Sequence, residues 1–112
     1  MYGRKFRASV FIKGDISPEK LKRLIPFNFD GDIFITGSIV DNGDGFGKYI
    51  YIRTGLGKIW VGGDIYTNCT LRFDAHLFVN GTIDVLNLSA TGKISCKSFR
   101  LRDENVSMLQ YM

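Results

Sequence analysis

The sequence predicts an all-β fold, and three observations carry that prediction. A motif of the form apolar-x-apolar-x-Gly-x-Ile occurs five times in 112 residues. Nine Phe, five Tyr and one Trp against two Pro are typical of a strand-rich chain with few breakers. Only one short segment has the apolar period of a helix. Recurrence of one motif at this density favours a regular sheet or a β-repeat architecture.

The five motif copies start at Val10, Ile33, Ile59, Leu77 and Leu88. The third and fourth copies are 18 residues apart, and the fourth and fifth are 11 apart, because Leu77 lies 18 after Ile59 and 11 before Leu88. Side chains alternate between the two faces of a strand, so each copy keeps its apolar residues on one side. Short steps between copies that all keep their apolar residues inward predict a β-solenoid, a short parallel β-helix with one narrow core.

An antiparallel β-sandwich or barrel is the alternative, since Asn80-Gly81 between apolar runs is a hairpin signal. A tight turn there would pair Val79 with Thr82 and send Val79 and Ile83 to opposite faces. A strand that runs straight through Gly81 avoids this, so we expect no hairpin at this position.

The elements follow in order along one predicted domain, residues 1–112. A strand over residues 6–16 precedes a short helix at 18–25, with Ser17 as N-cap, Pro18 at its first position and a face formed by Leu21, Leu24 and Ile25. The remaining predicted segments are the second copy at 31–40, a Gly- and Asp-rich loop at 41–47, a separate strand at 49–54, strands and turns as far as Arg102, and an edge or loose tail at 103–112.

The run from Gly57 to Leu101 is punctuated by Gly-Lys-Ile, Gly-Asp-Ile, Gly-Thr-Ile and Gly-Lys-Ile. In this run the chain resembles the bactofilins, a family of bacterial cytoskeletal proteins that form polymers. The resemblance implies a right-handed β-helix that assembles end to end without a nucleotide. The helix at 18–25 and the loop at 41–47 depart from that pattern.

Composition limits the classes of protein to which this chain can belong. No apolar run approaches the roughly 20 residues of a membrane span, and the basic N-terminus lacks the apolar core of a signal peptide. Cys69 and Cys96 lack metal or redox spacing, so buried free thiols in a reducing cytoplasm are expected. The net charge of +4 would help binding to an anionic partner, but a charge of this size is equally compatible with many other soluble proteins.

A second pattern concerns the residue after the first apolar position of each copy. These residues are Phe11, Phe34, Trp60, Phe78 and Ser89. Because the apolar residues of the motif point inward, these residues point outward. They lie in register with one another if the copies stack. The four aromatic residues are the predicted partner-binding site. The alternative is a second buried face, covered by the helix at 18–25.

Other residue groups favour ordinary structural roles. His76 is the only histidine and lacks a paired base or nucleophile. The loop Asp41–Gly47 offers oxygen ligands for calcium but lacks the other positions of an EF-hand. Asp15, Asp32 and Asp64 each follow a Gly and are expected to fill turns. The sequence therefore predicts no enzyme, no metal site and no cofactor.

Three functions remain open on the sequence. The first is a protein-interaction or self-assembly module that binds itself or one protein partner through the aromatic residues. The second is a small cytosolic inhibitor, such as an immunity or anti-defence protein. The third is a single-strand nucleic-acid binder, since exposed aromatic residues accompany basic groups. Those basic groups are Arg4, Lys5, Arg7, Lys20, Lys22 and Arg23 near the start, and Lys93, Lys97, Arg100 and Arg102 near the end.

Overall fold

A computed structural model describes residues 8–26, 28–41 and 47–102 as ten strands and one helix, α1 (Pro18–Leu24). The strands are β1 (Ala8–Ile12), β2 (Gly31–Ile35), β3 (Ile39–Val40), β4 (Tyr49–Val61), β5 (Ile65–Tyr66), β6 (Thr70–Val79), β7 (Thr82–Val85), β8 (Asn87–Ala90), β9 (Ile94–Ser95) and β10 (Ser98–Leu101).

The strands form two sheets, and every pairing between described strands is parallel. The first sheet has the order β1-β2-β4-β6-β8, with β9 also paired to β6; the second has the order β10-β7-β5-β3. From β2 onwards the chain passes back and forth between them. The predicted all-β fold with one short helix is confirmed, and parallel pairing does not agree with the antiparallel alternative.

We call one passage through the first sheet and then the second a rung. Like residues of successive rungs pair with each other, as Ile33 does with Ile59 and Ile59 with Leu77. All three are fully buried, because their side chains fill the space between the sheets. At the ends of the stack the equivalent Val10 and Ile94 are only partly buried. The prediction that these alternate side chains point into the core is therefore confirmed.

A corner separates the two sheets in each of the first four rungs, and a glycine lies at it. The amide of Gly37 donates to the carbonyl of Gly14 (3.1 Å), that of Gly63 to Gly37 (2.8 Å) and that of Gly81 to Gly63 (2.9 Å). The predicted strand through Gly81 is wrong, because β6 ends before it and β7 begins after it in the other sheet. The excluded hairpin is also absent here, since Val79 pairs with Val61 and Thr82 with Ser98.

Strand β4 joins two segments that the sequence predicted separately. Its pairing with β6 is continuous apart from a register shift between Arg53 and Lys58. Gly55 lies within that shift at a φ of 60°, a left-handed conformation that glycine adopts readily. The predicted turn is thus a bulge that bends one long strand.

Helix α1 begins as predicted, with the Ser17 hydroxyl accepting a hydrogen bond from the amide of Lys20 (3.2 Å). Leu21 is fully buried against the core, whereas Leu24 is 50% exposed. The prediction that Leu24 shares the buried face is wrong, because the helix ends at this residue and Ile25 leaves it in an extended conformation.

The fifth motif copy lies six residues from its predicted place, since the motif aligned Leu88 with Leu77. Leu88 pairs with Leu71 and Ala90 with Phe73, while Leu77 pairs with Ile94. A single residue, Leu86, connects β7 to β8, so the chain re-enters the first sheet beside the first half of β6. Ser89 therefore does not extend the aromatic column, contrary to prediction.

Several predictions concern residues outside the described ranges. They are the start of the first strand at 6–7, the basic residues Arg4, Lys5 and Arg7, most of the loop at 41–47, and the tail at 103–112. The single domain over 1–112 stays a prediction. Within the described part of the chain, no helix has the length and apolar character needed to cross a membrane.

Candidate protein-interaction surface

The four predicted aromatic residues form one column on the outer face of the first sheet. Strand pairing places Phe11 beside Phe34, Phe34 beside Trp60, and Trp60 beside Phe78. Their ring centroids are 4.9, 4.5 and 5.6 Å apart, with interplanar angles of 11°, 9° and 21°. Ser95 follows Phe78 in the same column. We call the four rings the aromatic ridge.

Stacking determines which part of each ring faces solvent. Because neighbouring rings lie nearly parallel at stacking distance, their faces cover one another and their edges point outward. Phe11 is 75% exposed at one end, and the other three rings are partly buried by their neighbours. The ridge is thus a continuous apolar edge that crosses four rungs.

Helix α1 does not supply the cover that the alternative interpretation required. Lys22 of the helix and Ile25 just after it border a groove with Tyr51, Ile52 and Arg53, which lie in the first half of β4. The ridge crosses β4 at Trp60, in the second half. The described part of the chain therefore leaves the outer edge of the ridge open.

A groove of about 480 Å³ runs beside the ridge. The aromatic rings form one wall, and the next outward position of each rung lies along its far side. These positions are Thr36, Gly62 and Asn80. A Cβ atom at Gly62 would overlap the carbonyl oxygen of Thr36, so the close approach of the two rungs requires glycine. The groove consequently lacks a side chain beside Trp60.

The opposite flank of the ridge carries Lys58, His76 and Lys93 on successive rungs. The Lys58 ammonium lies 5.6 Å from the centre of the Trp60 ring, within cation–π range. The Nδ1 atom of His76 accepts a hydrogen bond from the amide of Lys93 (3.0 Å). His76 thus links two rungs, which agrees with a structural role. Asp32 precedes Lys58 along this flank, and its carboxylate accepts from the Lys58 amide (2.9 Å).

Two of the three predicted turn-filling aspartates, Asp15 and Asp64, stabilise the corner between the sheets. The prediction is wrong for Asp32, which lies within β2 and pairs with Ser9. Asp15 accepts a hydrogen bond from the amide of Ser38 (2.8 Å), and Asp64 accepts one from the amide of Thr82 (2.8 Å). The Ser38 hydroxyl accepts from the amide of Asp64 (2.9 Å). Each side chain satisfies a backbone donor of the next rung, as expected of turn residues. Among the described residues, no three His, Cys, Asp or Glu side chains come together as metal ligands.

Both cysteines are free thiols. Cys69 is buried and Cys96 is partly buried, and this burial raises the pKa of each thiol. The nearby Asp41 carboxylate raises the pKa of Cys69 further. A higher thiol pKa means less thiolate at neutral pH, so neither group is activated as a nucleophile.

One polar cluster was missed by the sequence analysis. The Tyr51 hydroxyl donates a hydrogen bond to Asp74, which raises the pKa of Tyr51. Arg53 and Arg72 each place Nε 3.9 Å from a carboxylate oxygen of Asp74, and Arg72 lies 4.7 Å from the Tyr51 ring. These residues alternate outward on β4 and β6. Only the register between the two strands brings them together.

Arg102 is a second residue whose place the sequence did not predict. Its Nε donates to Asp84 (2.8 Å), its Nη1 to Asn68 (2.6 Å), and its Nη2 to the carbonyl of Thr67. The guanidinium therefore ties the last rung to the turn after β5. The sequence placed Arg102 in a basic group available to bind nucleic acid. These hydrogen bonds hold its guanidinium against the protein instead.

No protein-family model, curated protein or solved structure matches this chain. The resemblance to bactofilins therefore stays a prediction from the motif.

Proposed function

We propose that this chain is a short right-handed parallel β-solenoid that acts as a non-enzymatic protein-interaction or self-assembly module. Two features support the solenoid: parallel pairing throughout the described strands, and alternation of the chain between two sheets. Parallel crossovers are right-handed in about 98% of cases, which gives the expected hand.

The observation that carries the function is the open aromatic ridge. Four large rings lie in a single outward column whose edges the described residues leave uncovered, and a groove runs beside them. Aromatic residues concentrate at the centres of protein interfaces, and exposed contiguous apolar patches mark binding surfaces. The ridge is the binding surface in this proposal, with Trp60 at its centre.

Nucleic-acid binding is less compatible with the same geometry. Bases bind aromatic side chains by stacking on a free ring face. Within the ridge the faces of Phe34 and Trp60 are already occupied by neighbouring rings. The ridge offers edges to a partner, and edges suit side chains of another protein.

Trp60→Ala tests the proposed function. We expect self-association, or affinity for a purified protein partner, to fall at least tenfold, because a central aromatic residue often contributes 2 kcal/mol or more. Loss of the two ring contacts should also cost about 1–3 kcal/mol of folding stability. Sedimentation or calorimetry measures binding, and urea denaturation measures stability.

Tyr49→Ala is the matched control, since Tyr49 is an exposed aromatic residue of the same strand outside the ridge. It should leave binding unchanged. Equal binding by wild type and Trp60→Ala, at a concentration where both are folded, would contradict the proposal.

A further inference from the structure

The groove follows the middle of the aromatic ridge. It is lined by the rings of Phe34, Trp60 and Phe78, and each of these rings has a groove position two residues later, just past the end of its strand. The largest ring, Trp60, is followed by Gly62, the one of these positions without a side chain. A Trp ring beside a groove that has a gap at the same height makes this surface complementary to itself.

One pair of opposite charges lies at matching places on the two flanks. Lys58 lies on the ridge side, where Asp32 and Lys93 also lie, and Asp64 lies at the corner beyond the groove. Lys58 and Asp64 belong to the same rung. A rotation that exchanges the two flanks therefore brings Lys58 of one copy to Asp64 of the other.

We propose that the occupant of the groove is a second copy of this chain, related by a two-fold axis parallel to the direction in which the rungs stack. This inference rests on the proposed function and names its partner. The ridge of each copy lies in the groove of the other, Trp60 packs at the partner's Gly62, and Lys58 faces the partner's Asp64. A two-fold interface uses one patch on both subunits, as this geometry requires.

The direction of the axis follows from the position of the groove. An axis parallel to the stacking direction exchanges left and right across the sheet and keeps each rung at its own height. Each ring then meets the groove position of the same rung. An in-plane axis perpendicular to it would place ridge against ridge, with both grooves empty.

The size of the surface sets the expected affinity. The four outward positions from Lys58 to Asp64 cover seven residues, about 23 Å, and four rungs cover about 19 Å, so the face measures roughly 440 Å² per copy. Stable complexes bury about 800 Å² per partner. The face is smaller than that, so we expect a weak dimer that forms only at high protein concentration.

Sedimentation equilibrium of the full chain between 1 and 500 μM tests the inference, with Asn80→Arg and Ser95→Arg as two groove variants. Asn80 and Ser95 line the groove and are exposed. We expect wild type to form dimers and each variant to raise the Kd at least tenfold. Ser89→Arg adds the same charge at an exposed position of β8, outside the groove, and should dimerise like wild type.

Each outcome has a definite meaning once thermal melts show that the variants are folded. Dimers that persist in both groove variants would overturn the inference, and so would a wild type that stays monomeric at 500 μM. In the second case, a ridge that still binds another protein, with that binding lost in Trp60→Ala, would leave the proposed function standing. Loss of dimers in the groove variants and not in Ser89→Arg supports the second copy.

Discussion

Arg102 shows how one side chain can hold two distant parts of the stack together. Its hydrogen bonds to Asp84, Asn68 and Thr67 join the end of β10 to segments 18 to 35 residues earlier. Arg102→Ala should destabilise the fold by about 1.5–3 kcal/mol, because these bonds involve a charged and largely buried donor. Urea denaturation measures the change.

Arg100→Ala is the control for that experiment. Arg100 is exposed on the outer side of the same strand, and its truncation should change stability by no more than about 0.5 kcal/mol. Equal losses in the two variants would mean that the Arg102 contacts contribute nothing specific.

Side-chain direction was the residue-level property that the sequence predicted well. Alternation alone placed Ile33, Ile59 and Leu77 inside and Trp60 and Phe78 outside. The motif predicted the stacked aromatic partners, but side-chain partners outside the motif were not predictable, because they depend on which strands are neighbours and in which register. The roles of Arg102 and Asp74 became visible only with the register.

Helix α1 gives a test of how a short element is held on the sheet. Leu21→Ala should cost about 2–4 kcal/mol, since a fully buried side chain leaves a cavity. Leu24→Ala, one turn later and half exposed, should change stability by no more than about 0.5 kcal/mol. Thermal or urea unfolding separates the two. Similar losses would show that the helix packs by a wider face than Leu21.

The beginning of α1 was predictable because Ser17 and Pro18 are local signals that act within one turn. The place of the fifth motif copy was not. Leu88-x-Ala90 fits beside Leu77-x-Val79 or beside Leu71-x-Phe73 equally well in polarity, and the short connection at Leu86 decides between them. The alternation of apolar residues determines which face of a strand is buried, whereas the length of the connection determines which strand lies next to it.

Stability should vary along the stack because burial does. Core residues of the middle rungs, such as Ile59 and Leu77, are fully buried, while Val10 and Leu101 near the ends are only partly so. We expect hydrogen exchange of β4 and β6 amides to be at least about 100-fold slower than that of β1 and β10. Uniform protection along all strands would indicate a single cooperative unit without fraying ends.

The overall all-β class followed from the sequence because the motif repeats and helix signals are confined to one segment. The sequence did not predict which strands pair, or that a bend makes β4 one strand. Gly55-Leu56-Gly57 is as typical of a turn as of a bulge, and only the pairing of both halves of β4 with β6 distinguishes them. Local residue preference is therefore weaker evidence than register at such positions.

The two kinds of connection between the sheets suggest a use in protein engineering. At the glycine corner the connections are all short, whereas the return connections range from residues 17–30, which contain α1, through 41–48 and 67–69 to Leu86 alone. The same architecture thus accepts very different lengths at one corner while the strand ladders stay in register. A foreign peptide grafted between β3 and β4, where the connection already spans residues 41–48, would enter the chain where length varies, so this corner is a natural place to display an epitope or a binding loop.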